Sequence, residues 1–178
     1  MNIEGREGLS HKTTWAVTRY ANAEDAKVDR VYSDEEALAL FGVKQQTAIE
    51  NNILVNTGIN EAWKLICGGT ATAFNNANAY LGVGDNDGTD AEDPTDTDLK
   101  ASTNKVRVAM DVSYPTYGTS QLATWRATFD GSTANFAWQE FAVFNASTAG
   151  VMLNRKVSDQ GTKTSGQTWQ LTLSITLS

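Results

Sequence analysis

The chain holds a single cysteine, Cys67, and a single histidine, His11, in 178 residues, and each scarcity removes a class of protein. One cysteine cannot close an internal disulfide, so a stapled secreted scaffold is excluded and stability must come from packing. No spacing of His, Cys and carboxylate side chains matches what catalysis or a zinc site needs. Basic residues are also outnumbered, 14 Lys and Arg against 21 Asp and Glu, for a net charge of −7 and a pI near 4.6. Nucleic-acid binding draws its affinity from Lys and Arg, so DNA is not an expected partner. No apolar run approaches the roughly 20 residues that span a bilayer. The first residues, Met1 to Gly8, lack the basic-then-apolar pattern of a signal peptide, so a soluble protein made in the cytoplasm, with no membrane partner, is expected. The glycines of Gly82-Val83-Gly84-Asp85 lack the third glycine and following helix of a phosphate loop.

What the chain has is alternation. From Thr168 to Ser178, Trp169, Leu171, Leu173, Ile175 and Leu177 fall on one side and Gln, Thr and Ser on the other. That period of two is a half-buried β-strand, whose apolar face must rest on a core built from earlier segments. Similar patterns predict strands over Thr14–Tyr20, Ala79–Val83, Val106–Tyr114 (stopped by Pro115), Ala123–Phe129 and Val151–Val157. Phe136–Phe144 is apolar on both faces and reads as a central strand, with Glu140 on the side of Phe136 and Trp138.

Two helices are expected. Ser33-Asp34-Glu35-Glu36 is a capping box that opens a helix over 34–41 and closes at Gly42. A second, over 57–67, is capped by Asn56 or Thr57 and stopped by Gly68-Gly69. Ile59, Ala62, Trp63 and Ile66 share one face of it, which Trp63 should anchor to the sheet. The fold class expected is mainly β: an antiparallel, jelly-roll-like β-sandwich occupying residues 15–178, preceded by an extended arm over residues 1–14.

Few constellations invite chemistry. Between Gly84 and Asp98 stand Asp85, Asp87, Asp90, Glu92, Asp93, Asp96 and Asp98, a third of all the acids. A calcium ion would relieve their repulsion, with Asp85, Asp87 and Asp90 as first ligands, but Gly88 stands fourth from Asp85 rather than sixth, as an EF-hand requires. We read the stretch as a solvated loop, with no metal and no cofactor. His11 reads as solvated surface, and Cys67 as a small buried packing residue. Glu140, on an apolar strand, needs a cation such as Arg126 or Arg155; the alternative, a glycosidase acid, has no second carboxylate. Trp63, Trp125, Trp138 and Trp169 occupy apolar registers, which core packing explains before a sugar platform does. No catalytic residue is assigned, and no enzyme is expected.

The segments Asn56-Thr57-Gly58-Ile59-Asn60, Ala79 to Asp85, Thr97-Asp98-Leu99, Ala134 to Glu140, Leu153-Asn154-Arg155-Lys156 and Gly161-Thr162-Lys163 together resemble a run found in small structural proteins of tailed bacteriophages. The likeness spans roughly residues 50–178 and implies a virion component. Such proteins serve as capsid decoration (cement) proteins, tail components or fibre parts. An acidic protein suits the outside of the shell, because charge is screened within about 8 Å at physiological salt. The expectation is a decoration protein that binds the major capsid protein or other virion proteins, as a homo-oligomer, and stabilises contacts between capsomers. A tail, baseplate or fibre-attachment subunit is the structural alternative. A carbohydrate-binding or glycan-cleaving module using the Trp residues and Glu140 is the alternative from another class.

Overall fold

The computed structural model describes residues 11–86 and 90–178. In chain order the first elements are β1 His11–Tyr20, α1 Ala23–Lys27, α2 Asp34–Phe41, β2 Gln46–Glu50, β3 Ile53–Leu54 and α3 Asn56–Ile66. There follow β4 Tyr80–Gly84, β5 Lys105–Ala109, β6 Thr116–Thr119, β7 Leu122–Phe129, β8 Glu140–Phe144, β9 Met152–Val157 and β10 Thr168–Leu177.

The alternation of β10 becomes the centre of one sheet. β1 lies antiparallel along its whole length, from His11 opposite Leu177 to Tyr20 opposite Thr168, and β7 lies on its other side with Phe129 opposite Trp169. The strand orders are β2-β1-β10-β7-β6 and β3-β9-β8-β4-β5, and every pairing is antiparallel. Pairing is nested: β1 with β10, β3 with β9, β4 with β8. One apolar core joins the inner faces. Trp15, Val17, Trp125, Phe129, Leu171 and Leu173 come from the first sheet, and Leu81, Val83, Phe141, Val143 and Leu153 from the second. Burying each such side chain contributes roughly 1.5–3 kcal/mol. Trp138 sits edge-on to Phe129 and Trp169, with ring centroids 4.7 and 4.9 Å away, and its indole N–H donates to the Ala134 carbonyl at 3.0 Å. No helix among the described residues is long and apolar enough to cross a membrane.

The capping box at Ser33 and Glu36 and the left-handed stop at Gly42 are present. The expected boundaries shift elsewhere, for identifiable reasons. Strand β1 starts at His11, so residues 11–14 of the expected arm belong to the sheet, and Thr13 is buried; residues 1–10 lie outside the described residues. β5 ends at Ala109 rather than continuing to Tyr114, because the Asp111 amide leaves the second sheet to donate to the Arg126 carbonyl of the first, at 2.9 Å. Val112 is thereby 88% exposed. The segment before β8 pairs with residues 160–163 instead of extending the strand: Trp138 N donates to the Gly161 carbonyl, and Gln160 N to the Trp138 carbonyl. Trp138 therefore enters the shared core, while Glu140 does not share its side: it takes hydrogen bonds from Lys100 and Ala101.

Helix α3 departs furthest from expectation. Its buried residues are Gly58 and Glu61; Trp63 is 56% and Ile66 72% exposed, so Trp63 does not anchor the helix to the sheet. Polar ties set this rotation. The Val55 amide donates to the Leu153 carbonyl and the Asn56 amide to the Pro94 carbonyl, while the Glu61 carboxylate accepts from the Thr72 amide at 3.0 Å. The N-cap is Val55, without a side-chain cap, so neither Asn56 nor Thr57 serves. Gly68 takes a left-handed φ of 74° just beyond the helix.

Candidate functional site

The side of β8 and β9 that points away from the shared core carries a second, smaller apolar cluster: Val55, Leu99, Ala142, Phe144 and Met152. Beside it the acidic segment is strapped down by one guanidinium. Arg155, fully buried, has five N–H donors, and each has an acceptor. Nε donates to Glu140 Oε2 at 2.9 Å and Nη2 to the same oxygen at 2.8 Å. Nη1 donates to Asp96 Oδ2 and to the Ala91 carbonyl, both at 2.9 Å. The remaining Nη2 proton reaches the Asp90 carbonyl at 3.1 Å. Glu140 is filled from its other side by the amides of Lys100 (3.0 Å) and Ala101 (2.7 Å). Of the two cations offered by the sequence, Arg155 is therefore the partner, while Arg126 pairs with Asp111 at 2.7 Å.

Other cations reach further acids of the segment. Lys100 reaches Asp96 at 2.9 Å, Lys156 reaches Glu92 at 2.8 Å, and Lys105 and Arg107 both reach Asp98 at 2.8 Å. The loop is thus not simply solvated: Asp96, Leu99 and Ala101 are buried. Asp85 accepts from the Asn104 side chain at 2.6 Å, and Asp90 contributes its backbone carbonyl to Arg155 and to Asn86. Asp87 lies outside the described residues. Among the described residues no group of three or more His, Cys, Asp and Glu could hold a metal ion.

These ties fix the acid titrations. Burial alone would raise the Asp96 carboxyl, but the Asp93 amide, Lys100 and Arg155 outweigh it and hold the group below the ordinary carboxylate range. Burial is likewise outweighed at Asp98 by Lys105 and Arg107, and at Glu92 by Lys156 and the Val157 amide. Glu61 is lowered chiefly by the Thr72 amide. Groups with depressed folded-state values contribute stability that is complete above the unfolded pKa of about 4 and is lost as pH falls through the folded values. The thermal midpoint is therefore expected to hold from pH 7 to about 5 and to drop below 4. A thermal-denaturation series across that range checks this; a flat profile down to pH 3 would contradict it.

The other expected site residues are scattered. His11 is exposed at the start of β1. Cys67 is exposed at the C-cap of α3, not buried, since the helix turns that end to solvent. Trp15, Trp125, Trp138 and Trp169 are core residues, and Trp63 alone of the five is exposed. Neither a tryptophan platform nor an accessible Glu140 is formed.

Grooves are formed among the described residues. A small one, of about 280 Å³, lies between Asp98, Lys105, Arg107 and the 147–149 turn. A larger one, of about 720 Å³, lies on the outer face of the first sheet, between polar positions of β1, β2, β7 and β10 and the 26–45 segment. Its strand residues were hidden in the sequence as the solvent half of alternating strands, with repeated Gln and Thr the only sign; the rest of its lining comes from the 26–45 segment and Tyr114.

Comparison with known protein families, with curated proteins and with solved structures finds no match.

Proposed function

We propose that this protein is a structural component of a tailed-bacteriophage virion, and within it a capsid decoration protein that binds the outside of the assembled shell and reinforces contacts between capsomers. The observation that carries this reading is how the molecule disposes of its charged and apolar groups. Buried carboxylates and guanidinium are saturated by one another around Arg155, whereas α3 turns Trp63 and Ile66 to solvent. A surface tryptophan on a helix whose other side is fixed to β9 suits docking better than turnover. The likeness of residues 50–178 to phage structural proteins and the net charge of −7 support the same reading. The nested pairing of β1 with β10 and β3 with β9 supports a jelly-roll-like sandwich. The partners are the major capsid protein or neighbouring virion proteins, and copies of this chain in a homo-oligomer.

The mechanism is passive. Each bound copy favours the assembled shell over its dissociated parts by mass action, and no bond is made or broken. Particles made without the protein should assemble yet burst at lower temperature. Trp63→Ser should leave the isolated protein's stability within about 0.5 kcal/mol, as for other surface changes, while reducing occupancy on particles. Unchanged occupancy together with unchanged heat resistance would reject the reading.

A further inference from the structure

The 720 Å³ groove on the outer face of the first sheet falls in the size range of small-ligand sites; Thr18, Gln46, Arg126, Gln170 and Thr172 line it from the strands, and the 26–45 segment lines it beside them. Pairing aligns its side chains in rows across the strands. Gln46 stands opposite Thr18, and Thr18 opposite Gln170; one step along, Thr172 stands opposite Arg126. Neighbours in such a row repeat at about 4.8 Å. In the first row Gln46, Thr18 and Gln170 each carry an amide or hydroxyl able to both donate and accept, Gln46 donating to Thr18 at 3.3 Å; in the second, Thr172 does so, beside Ala16 and Ala48.

The ends of the groove are fixed as well. At one end, the Tyr20, Tyr32 and Ala37 cluster packs the α1 and α2 segment onto the sheet, and the Tyr20 hydroxyl donates to Asp29. At the other stands Tyr114, with Arg126 stacked 4.4 Å from its ring and its carbonyl held by the Asn76 side chain at 2.7 Å. Charges along the walls are largely satisfied within the protein: Arg126 by Asp111, Lys27 by Glu24, Asp29 by Tyr20. Lys44 and Asp34, opposite in sign, complete the rim.

From this we infer that the groove binds a neutral glycan chain, laid across β2, β1, β10 and β7 with its hydroxyls meeting the Gln and Thr rows. A ligand rich in hydroxyls, each both donor and acceptor, is what a floor of amides and hydroxyls satisfies. An anionic ligand would find Arg126 and Lys27 already paired with carboxylates, and Lys44 offset by Asp34 on the same rim. The inference does not depend on where in a particle the protein sits.

The test uses the purified full chain and a panel of hexasaccharides of glucose, mannose, galactose and N-acetylglucosamine, with polygalacturonate as the anionic comparison. Binding is followed by amide chemical shifts. At least one neutral hexasaccharide should shift the amides of Thr18, Gln46, Gln170 and Thr172. The double variant Gln170→Ala, Thr172→Ala should weaken that binding at least tenfold without moving the thermal midpoint, since both side chains lie on the outer face. Three results would each overturn the inference: no neutral member shifting these amides up to on the order of 10 mM, equal binding by the double variant, or tighter binding of polygalacturonate. Should the double variant unfold, Gln46→Ala, on an exposed edge position, provides the same comparison with an expected loss of at least threefold.

Discussion

Arg155→Met should destabilise the protein by about 3–5 kcal/mol, the cost of breaking a buried ion pair from one side. For a chain of this size that is a fall of about 10 °C in thermal midpoint. The loss comes from what is left behind more than from what is removed. Glu140 and Asp96 stay buried with a charge each and no guanidinium, and the carbonyls of Ala91 and Asp90 lose their donor. The strap over residues 90–101 then keeps its lysine contacts, the Arg107 bridge to Asp98, the Asn56 and Val157 amides on Pro94 and Glu92, and the Lys100 and Ala101 amides on Glu140. Because protonating Asp96 relieves its stranded charge, the deficit should shrink as pH is lowered from 7 towards 4. Denaturation of both proteins at several pH values checks both parts; a loss under 1 kcal/mol, or a deficit that grows with acid, would show that Arg155 is not the hub.

Gly58→Ala should cost about 3 kcal/mol, opposite in sign to what helix propensity alone gives. In an unpacked helix, alanine is favoured over glycine by about 1 kcal/mol. Here the added Cβ would stand 2.5 Å from the Leu153 carbonyl oxygen, 2.6 Å from Leu153 Cα and 2.7 Å from the Met152 carbonyl oxygen. All three are backbone atoms of β9, so no side chain can rotate away, and the helix must lift off the strand. Overpacking of this kind costs typically 1–3 kcal/mol. Lifting α3 also breaks the Val55 to Leu153 hydrogen bond and should change the fluorescence of Trp63. A stabilised Gly58→Ala variant would contradict the seating of α3 on β9.

These two positions show what could and could not be read from the chain. Strands whose burial depends on one sheet face were legible: β7 and β10 carry an unbroken period of two, and both lie at or beside the centre of a sheet. The capping box of α2 was legible because both halves of its hydrogen-bond exchange lie within four residues. The orientation of α3 was not. Its apolar period points one way, but Glu61 is claimed by Thr72 and by Asn145, 84 residues along, and Gly58 by the approach of β9. Short strands β2 and β6 were missed because polar edge positions leave little alternation to see, and β3 because its two residues, Ile53 and Leu54, are too few to show a period. The pairing of Glu140 with a cation was foreseeable from burial alone. The choice of Arg155 over Arg126, and the recruitment of Asp96, depended on register: Arg155 stands opposite Ala142 on β8, which places it beside Glu140 on the outer side of that sheet.

The central functional claim is most directly tested by counting copies of the chain in purified particles by quantitative mass spectrometry against the major capsid protein. A decoration protein repeats with the shell lattice, so copies on the order of hundreds per particle are predicted. A count of about six or a small multiple would move the protein to the tail, and its absence from washed, infectious particles would contradict a virion role altogether.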